Sequence, residues 1–209
     1  MKHLLIIGAR GFGREVYNTA LESIGYGTEY VVKGFLDDKE DALDCYEGYP
    51  SIISSVEEYK IEVDDAFICA LGDVHYKKKY VDLILAKGGE FVNVIHKTAV
   101  IERNSTIGKG CVISRNVQIS CDVWIGNFVT MNNMVVVGHD AVIGNYSHLN
   151  SMSFVGGYSE LKEYATMHTS SILQPHKKIG KHSVAGAGAF VYKSIKDNVT
   201  VFGNPAQEL

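Results

Sequence analysis

The chain lacks the marks of several common kinds of protein. Its four cysteines, Cys45, Cys69, Cys111 and Cys121, include no Cys-x-x-Cys pair, so the spacing of a zinc ribbon or a thioredoxin-like redox motif is missing. Cys69 lies in an apolar run and Cys111 in a slot otherwise taken by small residues, so a reduced, cytoplasmic protein is expected. No apolar run approaches the ~18 residues that a membrane-spanning helix needs. The opening MKHLLIIGARGFG has too short an apolar stretch for a signal peptide and reads as strand plus loop. Positive charge is not in excess either. Against 24 Asp and Glu stand 20 Lys and Arg, a formal net charge of −4, and nothing recommends nucleic acid as a partner. What remains is ordinary globular composition, 46% hydrophobic and 21% charged, in a length of 209 residues that suits one or two domains.

What is present is a period of six. From Ile95 through Ile101, Ile107, Ile113 and onward to Val191, every sixth residue is aliphatic, seventeen times in one register. Four residues after each sits, as a rule, a small one, such as Ser105, Ala141, Ser147 or Ser183. The position directly after the aliphatic is often Gly or Asn, as at Gly108, Gly126, Asn132, Gly138 and Gly156. A period of six belongs to neither helix nor ordinary strand and predicts a parallel β-helix, three hexads to a triangular coil. The aliphatic points inward, the small residue fits the tight corner, and the Gly or Asn is expected at a turn position of positive φ. Seventeen hexads make just under six coils, a prism roughly 27 Å tall at the strand spacing. One hexad departs: after Leu173 come Pro175 and His176 in the turn and Lys177 in the small slot. A lysine there is not expected to point inward unpaired, so a bulge or shifted turn is predicted in that coil. Ile195 is expected where the prism ends.

Residues 1–94 do not follow the hexad and are expected to form a separate domain from 95–209. His3 to Ile7 reads as a buried strand, Gly8 to Gly13 as a glycine-rich turn, Arg14 to Ile24 as a helix and Tyr30 to Leu36 as a second strand. Ala66 to Leu71 reads as a third strand, Tyr76 to Lys87 as a helix and Phe91 to Ile95 as a strand leading into the hexads. This alternation predicts a small parallel sheet with flanking helices, a Rossmann-like α/β domain. Gly8-x-x-Gly11-x-Gly13 is not the dinucleotide fingerprint, yet it places glycines where a strand feeds a helix and backbone N–H groups can meet an anion. The first strand ends at these glycines, the second at Asp37-Asp38, the third at Gly72-Asp73. Their carboxyl ends share one edge, where open α/β sheets bind ligands. The domain is too small for a whole dinucleotide, so a single nucleotide or nucleotide sugar is expected.

A solid prism with flat faces leaves catalysis to turns and subunit contacts. Six of the eight histidines lie from residue 96 onward, and a surface histidine is more often solvated than functional. His139 differs: it sits at a turn in Val137-Gly138-His139-Asp140-Ala141, with a carboxylate beside it that can fix the tautomer and raise the basicity of a general base. Eighteen positions on, one coil above, stands Gly157, so a column Cys121, His139, Gly157 leaves an open groove over the imidazole. His148, nine residues on and so one and a half hexads away, lies on another part of the perimeter and meets His139 only across a subunit boundary.

Taken together, the chain resembles, from end to end, the bacterial nucleotide-aminosugar acetyltransferases, which include the bacillosamine-pathway N-acetyltransferase and proteins labelled sialic acid O-acetyltransferases. The resemblance is carried by Gly8-Ala9-Arg10-Gly11-Phe12-Gly13, Phe35-Leu36-Asp37-Asp38, Ala70-Leu71-Gly72-Asp73, His139-Asp140-Ala141-Val142-Ile143-Gly144, Tyr146-Ser147-His148 and Gly203-Asn204-Pro205-Ala206. It implies a left-handed β-helix behind the Rossmann-like domain, a homotrimer, and acetyl-CoA as acetyl donor with no metal. It implies that Arg10, Gly11, Phe12, Asp37, Asp38 and Gly72 hold the nucleotide and that Asn132 faces the sugar. It further implies that His139 is the general base supported by Asp140, and that His148, Gly157, Thr169 and Ala187 contact acetyl-CoA. Some relatives carry His where this chain has Phe12, and His168, Thr169 and Pro175-His176 depart from the family pattern on the CoA side. Lys177, Lys178 and Lys181 there are either a solvated charged turn or, as point charges, ligands of CoA phosphates. The expected reaction is direct transfer to the amino group of a nucleotide-linked 4-amino-4,6-dideoxysugar, for bacterial surface glycan. Sugar O-acetylation at the same site is the near alternative; a trimeric zinc enzyme of carbonic anhydrase type and a non-catalytic nucleotide-sugar sensor are the distant ones.

Overall fold

Four parallel strands build the N-terminal sheet: β1 (Lys2–Ile7), β2 (Tyr30–Leu36), β3 (Ile52–Ser54) and β4 (Asp65–Cys69), in the order β3-β2-β1-β4. The computed structural model describes residues 1–209 and divides the chain into two units, Met1–Lys97 and Thr98–Leu209. Central β1 carries Leu4, Leu5, Ile6 and Ile7, all buried, as a strand covered on both faces requires. Helix α1 (Gly11–Leu21) follows β1, and α2 (Val74–Ala86) follows β4. Both helices begin and end a few residues earlier than the periodicity predicted, a usual uncertainty at helix ends. Gly13 lets α1 start against β1, since a Cβ there would lie 2.0 Å from the Gly8 carbonyl oxygen. Short β3 was not predicted, and the strand expected from Phe91 shrinks to Val94–Ile95, with Phe91 bridging Phe67.

The second unit is a left-handed parallel β-helix with three faces. The first face stacks Val100–Ile101, Gln118–Ile119, Val136–Val137, Phe154–Val155, Ile172–Leu173 and Phe190–Val191. The second stacks Thr106–Ile107, Trp124–Ile125, Val142–Ile143, Glu160–Leu161 and Lys178–Ile179. The third runs from Val112–Ile113 through Thr130–Met131, His148–Leu149, Thr166–Met167 and Val184–Ala185 to Thr200–Phe202. Partners such as Ile125 and Ile143 pair in parallel eighteen positions apart. From Ile113 to Val191 every sixth residue is at most 2% exposed, and each such burial contributes about 1.5–3 kcal/mol. The small slot is equally closed: Ser147, Ser159 and Ser183 are buried, and their hydroxyls donate to the carbonyls of Lys162, Gln174 and Lys196.

Two expectations are overturned here. Positive φ falls three residues after the aliphatic, not one, at Asn116, Asp122, Phe128, Asp140, Tyr146, Tyr158, Tyr164, His176 and their equivalents. The glycines directly after the aliphatic have ordinary φ and answer to crowding instead. A Cβ on Gly138 would lie 2.7 Å from the Gly157 nitrogen, and one on Gly156 would lie 2.4 Å from the Pro175 nitrogen. Nor is there a bulge at Lys177. Its coil keeps register, Glu160 against Lys178 and Phe154 against Ile172, and Lys177 is half-buried rather than turned inward. His176 takes the left-handed corner (φ 63°) as every other coil does, so the turn absorbs the sequence change.

Beyond Ser194 the chain leaves the hexad and crosses the end of the prism, where Ile195 was expected. Ile195 N–H donates to Lys178 on the second face, Phe190 on the first face donates to Gly203, and Ala206 N–H donates to Phe190. On the third face Thr200–Phe202 continues the stack and Gln207–Glu208 pairs with it antiparallel.

Candidate active site

Each unit contributes one feature suited to a ligand. In the first, a cleft of about 480 Å³ opens at the carboxyl ends of β1, β2 and β4. Of the residues expected to hold a nucleotide, Arg10, Phe12, Asp37, Asp38 and Gly72 line it and Gly11, the first residue of α1, does not. Residues the sequence reading missed complete the wall: Val56 and, one turn apart on α2, Tyr76 and Tyr80. Their i, i+4 spacing just after a strand end was the available signal.

The two helices meet this cleft differently. Asp73 caps α2, accepting from the N–H groups of His75 (2.8 Å) and Tyr76 (3.0 Å), so that helix start already holds a negative group. The start of α1 has Arg10 as N-cap with no side-chain cap and no acid in its first turn. No side chain of its own neutralises that end, and the helix dipole favours an anion there. The two adjacent acids also differ. Asp37 is buried and accepts from Ala9 N–H (2.8 Å) and Lys39 N–H (2.9 Å). Burial alone would raise its pKa, but these bonds, Asp38 and the Arg10 guanidinium outweigh it and hold the carboxyl below its ordinary value. Asp37 therefore ties the glycine-rich loop to β2, while exposed Asp38, 3.5 Å from Arg10, is the carboxylate free to face a ligand.

In the second unit His139 and Asp140 occupy the corner between the first and second faces. His139 Nδ1 lies 2.8 Å from an Asp140 carboxylate oxygen, with both side chains partly exposed. The corner φ of Asp140, 57°, turns its side chain back toward its neighbour. That contact uses Nδ1 and leaves Nε2 as the nitrogen available to act as a base. Gly157 stands in the next coil, where a Cβ would come within 2.9 Å of His139 Nε2. The Gly157 N–H donates to no backbone carbonyl, whereas the His148 N–H is taken by Ala165.

The remaining predicted residues lie elsewhere on this chain. Asn132, Thr169 and Ala187 fall at the corner between the third and first faces. Asn132 donates to Asn150 (3.3 Å), which in turn approaches His168, so its amide belongs to a ladder along that corner. His148 lies buried on the third face, between Thr130 and Thr166. Lys178 and Lys181 have acid partners in Glu160 and Glu163, which favours the solvated-turn reading for both. No three His, Cys, Asp or Glu side chains of the single chain converge as metal ligands.

Two family models match the chain in succession: the PglD N-terminal domain over residues 3–84 and the GMPPB C-terminal domain over residues 92–189. A curated relative, the UDP-N-acetylbacillosamine N-acetyltransferase of Bacillus subtilis (strain 168), is 29% identical over 117 residues, 54% of this chain and 51% of that protein. The matched stretch thus spans about half of the relative's length. Among solved structures, PerB from Caulobacter crescentus, in complex with CoA and GDP-perosamine, superposes with a TM-score of 0.89 at 26% identity, covering 100% of this chain and 98% of that one. The acetyltransferase domain of PglB from Neisseria gonorrhoeae FA1090, in complex with acetyl coenzyme A, gives 0.89 at 25% identity, covering 100% and 99%. In its N-terminal domain, in its β-helix and in the superposition of the whole chain, the protein is thus similar to the bacterial nucleotide-aminosugar acetyltransferases of the hexapeptide-repeat kind.

Proposed function

We propose that this protein transfers the acetyl group of acetyl-CoA to the 4-amino group of a nucleotide-linked 4-amino-4,6-dideoxysugar, with His139 as general base. The observation that carries the reading is the His139–Asp140 pair at 2.8 Å, made through Nδ1, with Nε2 lying beside Gly157. The amino nitrogen attacks the thioester carbonyl, and His139 Nε2 accepts the proton as the C–N bond forms. The Gly157 N–H, left without a backbone acceptor, is suited to stabilise the oxyanion. Collapse breaks the C–S bond, and the CoA thiolate leaves and takes up a proton. The nucleotide diphosphate belongs at the start of α1, which no side chain caps, beside Arg10, with Asp38, Tyr76 and Tyr80 around the nucleoside. The product is destined for surface glycan, and the reaction belongs to the cytoplasm, where acetyl-CoA is made.

A homotrimer completes the proposal. The first face shows an apolar stripe of Val136, Phe154 and Ile172, flanked by Met134 and Met152, which are 54% and 51% exposed. An apolar patch of this kind calls for a partner. Three copies around an axis set His148 of one protomer toward His139 of the next, the only way the two can share a site.

The test is CoA release from acetyl-CoA with a panel of UDP-, TDP- and GDP-linked 4-amino-4,6-dideoxysugars. Turnover is expected with one of them, falling by about 10²–10⁴ in His139→Ala while acetyl-CoA binding changes little. Full turnover in that variant would refute the base. Release only with hydroxyl sugars would replace N-acetylation by O-acetylation.

A further inference from the structure

The His139 imidazole touches a ring that neither the pairing with Asp140 nor the family resemblance accounts for. Tyr158, in the next coil, meets it edge-on, with centroids 5.1 Å apart and planes at 87°. Tyr158 in turn stacks flat on His176, one coil further, at 5.0 Å and 6°. Asp140, Tyr158 and His176 all occupy left-handed corner positions, with φ of 57°, 57° and 63°. For a bulky residue that conformation is uncommon and carries strain. An aromatic side chain placed there needs a compensating contact, and the face of Tyr158 gains one from His176. A second column, Phe128, Tyr146, Tyr164 and His182, stacks in the same way along the next corner, at 4.5–5.1 Å, so stacking alone is a habit of these corners. What sets the first column apart is the ring that Tyr158 meets edge-on, the imidazole paired with Asp140.

The imidazole is thus held on three sides: Asp140 at Nδ1, the Gly157 backbone along its Cε1–Nε2 edge, and the Tyr158 ring across it. An exposed imidazole with one hydrogen bond can still rotate about that bond. A perpendicular ring at 5 Å removes this freedom while leaving Nε2 open, which is the orientation catalysis requires. We infer that Tyr158 is a positioning residue for His139, acting through its ring, with His176 as the stacked support that keeps the ring in place. The inference rests on the reading of His139 as the base.

The experiment compares Tyr158→Phe, which keeps the ring, with Tyr158→Asn, which removes it in favour of a residue that tolerates the left-handed corner. His139→Ala runs beside them. Carbon–proton NMR of the ligand-free protein follows the His139 ring, its signals assigned by their loss in His139→Ala. Steady-state kinetics across pH follow turnover. In Tyr158→Asn the His139 ring signals are expected to move, and kcat to fall about two- to tenfold, the worth of one aromatic pair. KM for both substrates should stay unchanged. Tyr158→Phe is expected to match wild type in every readout. His139 signals unmoved in Tyr158→Asn would overturn the inference, as would Tyr158→Phe behaving like Tyr158→Asn, since the hydroxyl would then be the acting group. If His139→Ala keeps full turnover while the NMR shifts follow the ring, the base assignment fails and the packing of Tyr158 stands.

Discussion

The two units solve one problem, how to present polar groups to a small ligand, by opposite means. The N-terminal unit brings the ends of several elements to one edge, so its cleft is assembled from residues far apart in sequence: Arg10, Asp38, Gly72 and Tyr76. The β-helix repeats one unit and varies it, so His139, Gly157 and Tyr158 become neighbours through a fixed offset of about one coil. In the first case geometry comes from topology; in the second it comes from counting. Under the proposed function the division also separates recognition from chemistry, and variants can test whether that separation is clean.

The largest effect should come from the counted side. Gly157→Ala has an ordinary φ to keep, but its methyl would sit 2.9 Å from Nε2 of His139. Displacing a base by about an ångström costs up to ~10²-fold, so kcat should collapse while calorimetric binding of nucleotide stays at wild type. If nucleotide binding falls too, the separation is broken. Arg10→Ala should do the reverse. Losing one charge-assisted contact to a diphosphate weakens sugar-nucleotide binding about tenfold, seen as a raised KM with kcat at saturation unchanged. The smallest effect concerns Asp37. Its pKa in the folded protein lies below the ordinary 3.8, so its stabilisation is complete above that value and is lost as pH falls through the folded value. Urea unfolding should find Asp37→Asn less stable than wild type by about 1 kcal/mol at pH 6, with the gap narrowing below pH 4. A gap that widens in acid would show that Asp37 does not serve as the charged clasp of its loop.

The β-helix was legible almost residue by residue because its periodicity fixes both burial and neighbours. The spacing of eighteen placed Gly157 against His139 before any coordinate did. The same reading misassigned the corner. Gly or Asn after each aliphatic suggested positive φ there, while the true corners mix types that signal it, Asn116, Asp122 and Asp140, with types that do not, Phe128, Tyr146 and Tyr164. Propensity favours Gly and Asn at φ > 0, but packing between coils governs where glycine is needed, and that crowding depends on the adjacent coil. Lys177 misled for a related reason, since a half-exposed corner slot accepts a long polar side chain whose end reaches water. In the N-terminal unit the strand ends and the glycine turn were readable from local pattern. The rest of the cleft wall was not, since which side of α2 faces the sheet edge decides that Tyr76 and Tyr80 line it, and a short amphipathic helix leaves this to tertiary contacts. The division between Asp37 and Asp38 was equally hidden, for two adjacent acids look alike until one is seen to clasp Ala9.

The segment beyond Ser194 has a bearing on assembly. A pile of parallel strands terminates in three rows of unsatisfied backbone groups, and any matching row could extend it, as happens in fibres. Here Ile195, Gly203 and Ala206 occupy the last rungs of two faces, and a reversed strand closes the third. A second copy stacking on that pole would meet a returning segment and an antiparallel strand in place of the repeat's own parallel rows, a mismatch that disfavours head-to-tail growth from that end.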